Sequence, residues 1–120
     1  MVAISGASGS IYGMRVLQML RQIEDVRSHL VITPSAKTTI GIETECSVSE
    51  IEELADVLHS ARDIGASIAS GSFKTSGMIV APCSIKTLSA VANSFGADLV
   101  SRAADVTLKE RRPLVLMVRE

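Results

Sequence analysis

Four short, nearly unbroken apolar runs constrain this chain more than any other feature. They are Met1–Ser5 (MVAIS), His29–Thr33 (HLVIT), Gly77–Pro82 (GMIVAP) and Pro113–Val118 (PLVLMV). Each is too short for a typical helix, and none alternates as a strand with one wet face would, so each reads as a strand buried on both faces. The segments between them favour helices. Val16, Leu17, Leu20 and Ile23 recur at helical spacing within Ile11–Ile23, and Ser35–Glu43 follows Pro34 as a short helix. Ser49–Leu58 reads as a helix opened by a Ser49-x-x-Glu52 capping box. Arg62–Phe73 reads as a loop with one short helical turn, Ser84–Asn93 as a helix, and Leu99–Arg112 as an amphipathic helix with an Asp105–Lys109 pair on its solvated face. Strands that alternate with helices in this way predict an α/β domain, a parallel sheet with helices on both faces.

Composition narrows the function. A chain of 120 residues suits one domain, and 47% hydrophobic residues argue against disorder. With two Phe, one Tyr and no Trp, its core must be aliphatic. A net charge of −1 argues against a broad nucleic-acid surface, and no apolar stretch is long enough to span a bilayer. No signal-peptide pattern precedes the first motif, which makes the cytoplasm the expected compartment. Cys46 and Cys83 read as reduced thiols. His29 and His59 have no ligand-like spacing, so no metal site is expected.

Ligands of parallel sheets bind beyond the carboxyl ends of the strands, which singles out Gly6–Ser10, Thr33–Ser35, Cys83–Thr87 and Arg119–Glu120. Gly6-Ala7-Ser8-Gly9 offers backbone N–H groups and a helix N-terminus to an anion, or serves only as a tight packing turn. It is neither a dinucleotide fingerprint nor a Walker A loop. Ser84 reads equally as a helix N-cap and, with Thr87, as a holder of polar ligand atoms; Cys83 reads as a small buried hydrophobe. Ser70-Gly71-Ser72-Phe73 is a surface loop or a pocket wall. Arg119 and Glu120 place a guanidinium and a carboxylate at the carboxyl edge of the last strand, suited to binding phosphate and moving a proton.

Taken together, Gly6-Ala7-Ser8-Gly9, Ser70-Gly71-Ser72-Phe73, Gly77–Val80, Pro82–Leu88, Arg102–Val106, Leu108–Leu116 and Val118-Arg119-Glu120 closely resemble the UbiX family of flavin prenyltransferases, collinearly over essentially the whole chain. The resemblance implies a Rossmann-like flavoprotein fold and transfer of a dimethylallyl group from dimethylallyl monophosphate to reduced FMN, with no metal. The product would serve a UbiD-type decarboxylase, as in ubiquinone biosynthesis. It further implies a large homo-oligomer, commonly a dodecamer, with sites at subunit interfaces. By position, Gly6, Ala7, Ser8, Thr33, Ser84, Ile85, Lys86, Thr87 and Arg119 match flavin-binding residues. Ser8, Glu43, Arg102, Lys109 and Glu120 match catalytic positions, Arg102 and Lys109 lying near the prenyl phosphate. Thr33 and Pro34-Ser35 depart from the family's commoner Ser and Lys-Ala. Beside the family the chain is expected to lack a C-terminal part, which supplies a Tyr and a basic residue for the prenyl phosphate, and a few strand residues before Val2.

Two other readings stand beside this one. Flavin-dependent cysteine decarboxylases share the fold but carry Pro-Ala-Ser-Ala-Asn-Thr where this chain has Pro82-Cys83-Ser84-Ile85-Lys86-Thr87, and they use an active-site His. A shortened homologue that binds FMN without transferase chemistry is the third.

Overall fold

A computed structural model describes all residues from 1 to 120. Five parallel strands form one sheet in the order β3-β2-β1-β4-β5, with β1 at Val2–Ile4, β2 at His29–Ile32, β3 at Val57–Ser60, β4 at Met78–Cys83 and β5 at Leu114–Val118. The four apolar runs became β1, β2, β4 and β5, and β1 lies at the centre with every residue buried.

Helices cover both faces, as the continuous apolar runs require. On one face α1 (Ser10–Leu20), α2 (Pro34–Glu43) and α3 (Val48–Glu52) close over Val2, Ile4, Leu30 and Ile32. On the other, α5 (Leu99–Lys109), with α4 (Ile85–Ala92) beside it and a short 3-10 turn at Ser67–Ala69, packs on Ala3, Val31, Val80 and Cys83. Gly13 lets α1 lie close on the sheet, because a Cβ there would run into the Ala81 carbonyl oxygen and Ile4.

The segment expected as one helix over Ser49–Leu58 divides differently. Its capping box is Ser47 with Glu50, so the helix starts earlier and stops at Glu52; Val57–Ser60 then pairs with β2 as the edge strand β3. An edge strand is only partly covered, so a His-Ser half suffices and the apolar run that marks a buried strand is absent. The Asp105–Lys109 pair does not form, and the chain's one ion pair joins Lys37 to Glu52 at 3.1 Å. Both cysteines are free thiols. No helix is long and apolar enough to cross a membrane.

Candidate functional site

Strand order reverses between β1 and β4: the chain moves outward from β1 through β2 to β3, then returns to β4 on β1's other side. The crevice that such a reversal opens at the carboxyl ends is where α/β sheets bind ligands. Here it is floored by the Gly6–Gly9 turn, the first turn of α4 and the segment after β5.

A buried hydroxyl joins those pieces. Pro82 offers no N–H, and Ser5 Oγ bridges the gap by donating to the Pro82 carbonyl at 2.8 Å and accepting the Ser84 N–H at 2.7 Å. Ser84 then caps α4, accepting the Thr87 N–H at 3.2 Å and donating to Thr87 Oγ1 at 3.1 Å. The first-turn amides of Ile85 and Lys86 find no partner within the chain, as expected of a helix start. Gly6 and Ala7 likewise keep their N–H groups unbonded, whereas the Ser8 N–H donates to the Glu120 carbonyl at 2.6 Å.

α2 leans on this turn from the other side. Thr33 caps α2, its hydroxyl accepting the Ala36 N–H at 3.2 Å and sharing a 3.2 Å bond with Ser35 Oγ. Thr39 Oγ1 reaches the Gly6 carbonyl at 3.4 Å, and a Cβ at Gly6 would collide with the Ser35 side chain. Only glycine admits this approach.

The N-terminus of α1 is already occupied. Its cap residue, Gly9, has a left-handed φ of 100° and no side chain, and Glu43 at the end of α2 supplies the carboxylate instead. Glu43 accepts the Gly9 N–H at 3.0 Å, the Ser10 N–H at 3.3 Å and Ser10 Oγ at 3.2 Å. The Gly9 N–H, above all, holds its carboxyl below the usual carboxylate range, with the Ser10 bonds and the nearby Arg119 charge adding to this. The anion cradle foreseen from Gly6-Ala7-Ser8-Gly9 thus splits into two parts: amides 9 and 10 hold the chain's own carboxylate, and amides 6 and 7 remain free.

Arg119 closes the crevice. Its backbone N–H bonds to the Cys83 carbonyl at 3.0 Å, and its Nε donates to the Ser8 carbonyl at 3.0 Å. Cys83 itself is fully buried, and burial pushes its thiol up, away from nucleophilic chemistry.

Of the residues singled out from the sequence, Gly6, Ala7, Ser8, Glu43, Ser84–Thr87, Arg119 and Glu120 therefore gather at one edge, with Thr33 beside them. Lys109 does not join them within one copy, whereas Arg102 stands near the start of α5, on the carboxyl side of the sheet. α5 starts near the carboxyl end of β3, where the Leu99 N–H bonds to Ala61, and ends at the amino edge, where Pro113 accepts the Met78 N–H. Both cations stand exposed on one side of that helix, seven residues apart, and neither forms an ion pair. The Ser70–Phe73 loop also lies at the amino edge, held by Arg112, which donates to the Gly71 and Phe73 carbonyls at 2.9 and 3.0 Å. Ser5 and Gly13 escaped the sequence reading. A polar residue closing an apolar strand, and a glycine four positions past Gly9, were the signals available.

A cleft of about 590 Å³ lies at the opposite edge among Val16, Leu20, Phe73 and Met78. Asp25, Arg27, His29 and Lys74 also line it, and the buried Thr75 hydroxyl there finds no partner. What marks the crevice at β1 and β4 is the set of free amides of Gly6, Ala7, Ile85 and Lys86 beside the Arg119 guanidinium.

The model of the Flavoprotein family matches residues 1–119. The chain belongs to that family. It is 60% identical over 119 residues to the flavin prenyltransferase UbiX of Escherichia coli (strain K12), which covers 99% of this chain and 63% of the relative. The chain thus spans somewhat less than two thirds of that relative's length. Among solved structures, AnUbiX in complex with FMN and dimethylallyl pyrophosphate superposes with a TM-score of 0.96 at 50% identity, covering 99% of this chain and 63% of that one. A dodecameric FMN-dependent UbiX-like decarboxylase from Escherichia coli O157:H7 gives 0.94 at 49% identity, covering 100% and 66%. These likenesses take in the whole crevice.

Proposed function

We propose that the chain carries the flavin-binding part of a flavin prenyltransferase, which moves a dimethylallyl group from dimethylallyl monophosphate to reduced FMN. What carries the reading is the shelf at the strand-order reversal, where the free amides of Gly6, Ala7, Ile85 and Lys86 meet the Arg119 guanidinium, in a chain so similar to proteins of that activity. The fit to a flavin rests on the same features. The free amides suit its polar edge or its phosphate, and Arg119 adds a cation beside them.

When bound, reduced FMN supplies the nucleophilic nitrogen and carbon. The chain's residues do the rest. Gly6, Ala7, Ser8, Thr33, Ser84, Ile85, Lys86, Thr87 and Arg119 hold and orient the flavin. Departure of phosphate from an allylic carbon leaves charge on its oxygens, and Arg102 and Lys109 stabilise that charge in place of a metal. Because α5 carries Lys109 to the opposite edge, in this reading that lysine serves the crevice of a second copy in a homo-oligomer. Ser8 would orient the reacting edge, Glu43 keeps α1 and its turn in place, and Glu120 would take the proton that the flavin carbon gives up as it bonds the prenyl double bond, whose other carbon takes up a proton in exchange. The product would pass to a UbiD-type decarboxylase.

The cysteine-decarboxylase reading loses its base. His29 and His59 bond to each other at 2.9 Å across β2 and β3, away from the crevice. The test is direct: the purified chain is incubated with reduced FMN and dimethylallyl monophosphate, and the flavin is weighed by mass spectrometry. A gain of one prenyl group is expected; bound but unchanged FMN would instead identify a flavin-binding homologue without transferase chemistry.

A further inference from the structure

Arg119 is fixed on three sides and free on the fourth. Its main chain is bonded to Cys83, and its Nε to the Ser8 carbonyl. Its Cζ also lies 5.2 Å from the centre of the Tyr12 ring. The two terminal nitrogens make no hydrogen bond or ion pair within the chain. Such a group is a pre-aimed fork, the geometry that carboxylate and phosphate recognition uses. Tyr12 stands in the first turn of α1, and 41% of it is exposed, more than burial alone would ask of a tyrosine. Gly9 completes the arrangement. Its φ of +100° is one that side chains rarely adopt, and a Cβ there would come within 2.9 Å of both Arg119 Nε and Tyr12 Cδ2. The glycine turn therefore clears the space in which ring and guanidinium meet.

We propose that Tyr12 is a positioning residue, whose ring face holds the Arg119 guanidinium so that its free fork meets an anionic group of the bound flavin. The proposal rests on the flavin reading above, and deepens it by adding a residue that never touches the ligand. Without the ring, the guanidinium keeps one bond to Ser8 but gains freedom to swing about it, and the ligand must then order it.

Two readouts separate this proposal from the reading beneath it. Tyr12 is the only tyrosine, so the tyrosine ring signals in the nuclear magnetic resonance spectrum belong to it. In the chain without flavin, the Arg119 Nε–H should show a ring-current shift that vanishes in Tyr12→Leu and survives in Tyr12→Phe. FMN affinity, followed by flavin fluorescence, should fall about three- to tenfold in Tyr12→Leu, the range a cation–π contact supports, and stay within about twofold in Tyr12→Phe. Arg119→Lys should lose at least as much, because a point charge cannot bond Ser8 and present a fork together. An unshifted Nε–H in the wild-type chain overturns the proposal. So does wild-type FMN affinity in a folded Tyr12→Leu. A chain that binds no FMN overturns the flavin reading, while the Nε–H shift still decides whether Tyr12 holds Arg119.

Discussion

Single atoms decide the sign of several effects in this protein. Gly13 is the plainest case. Alanine in place of a helical glycine ordinarily gains about 1 kcal/mol. Here the added methyl meets the Ala81 carbonyl oxygen and Ile4, and main chain does not yield as a flexible side chain does. Overpacking of this kind costs about 1–3 kcal/mol, so Gly13→Ala should lower stability despite the better propensity, read as an earlier urea midpoint. Glu43 acts with the opposite logic. Its carboxylate closes the α1 terminus from 34 residues away. Its folded-state carboxyl sits below the ordinary 4.5, so its contribution is full above that value and lost as pH falls through the depressed one. Glu43→Gln keeps some bonds and loses the charge; solvent screening limits the loss to at most about 1 kcal/mol, checked by denaturation at neutral pH. No periodicity or local spacing could pair residues so far apart. Only the resemblance pointed to Glu43, and it did not disclose that the carboxylate occupies the amides of Gly9 and Ser10.

Elements were readable in proportion to their burial. β1, β2, β4 and β5 are apolar runs because β1, β2 and β4 are covered on both faces, and β5 nearly keeps that composition at the edge. β3 is the other edge, and its Val-Leu-His-Ser sequence carried no such mark. What joins it to β2, beyond the backbone ladder, is a pair of histidines. His29 Nδ1 and His59 Nε2 lie 2.9 Å apart, with rings inclined by 14° and centroids 5.2 Å apart, so the rings meet edge to edge along one N–H···N bond. Phe73 packs its ring against His29 from the amino-edge loop. Burial lowers the affinity of both imidazoles for a proton. His59, the Met1 amine and Arg27 lower His29 further, while Asp56 raises it and Asp63 raises His59. The folded state therefore binds fewer protons than the unfolded one. Stability from this pair is full above the ordinary 6.5, declines as pH falls through it, and levels off below the depressed folded-state values. Urea midpoints measured from about pH 7.5 to about pH 5 should fall, and His59→Gln should flatten that part of the slope. An unchanged slope in the variant would place the effect elsewhere.

At the scale of the whole molecule, the separation of its cations carries the most weight. Glu120 and Arg119 follow β5 at the carboxyl edge, whereas Lys109 lies in the last turn of α5, whose following residues reach the amino edge. One copy cannot bring Lys109 and Glu120 to the same small substrate. If both serve one reaction, each crevice takes Glu120 from one chain and Lys109 from another. This arrangement has a quantitative signature. Lys109→Ala and Glu120→Gln should each abolish most prenyl transfer alone, since every crevice then lacks one of the two groups. Mixed in equal amounts, unfolded and reassembled together, the two variants populate crevices at random, and about one in four receives both intact residues. Prenylated flavin, weighed by mass spectrometry, should then recover to about a quarter of the wild-type rate from two preparations that are nearly inert apart. A site built within one chain predicts no recovery, because every chain in the mixture is defective. The same comparison with Glu120→Gln and Arg119→Ala is the control, since those two residues share one crevice in one chain and their variants should not rescue each other.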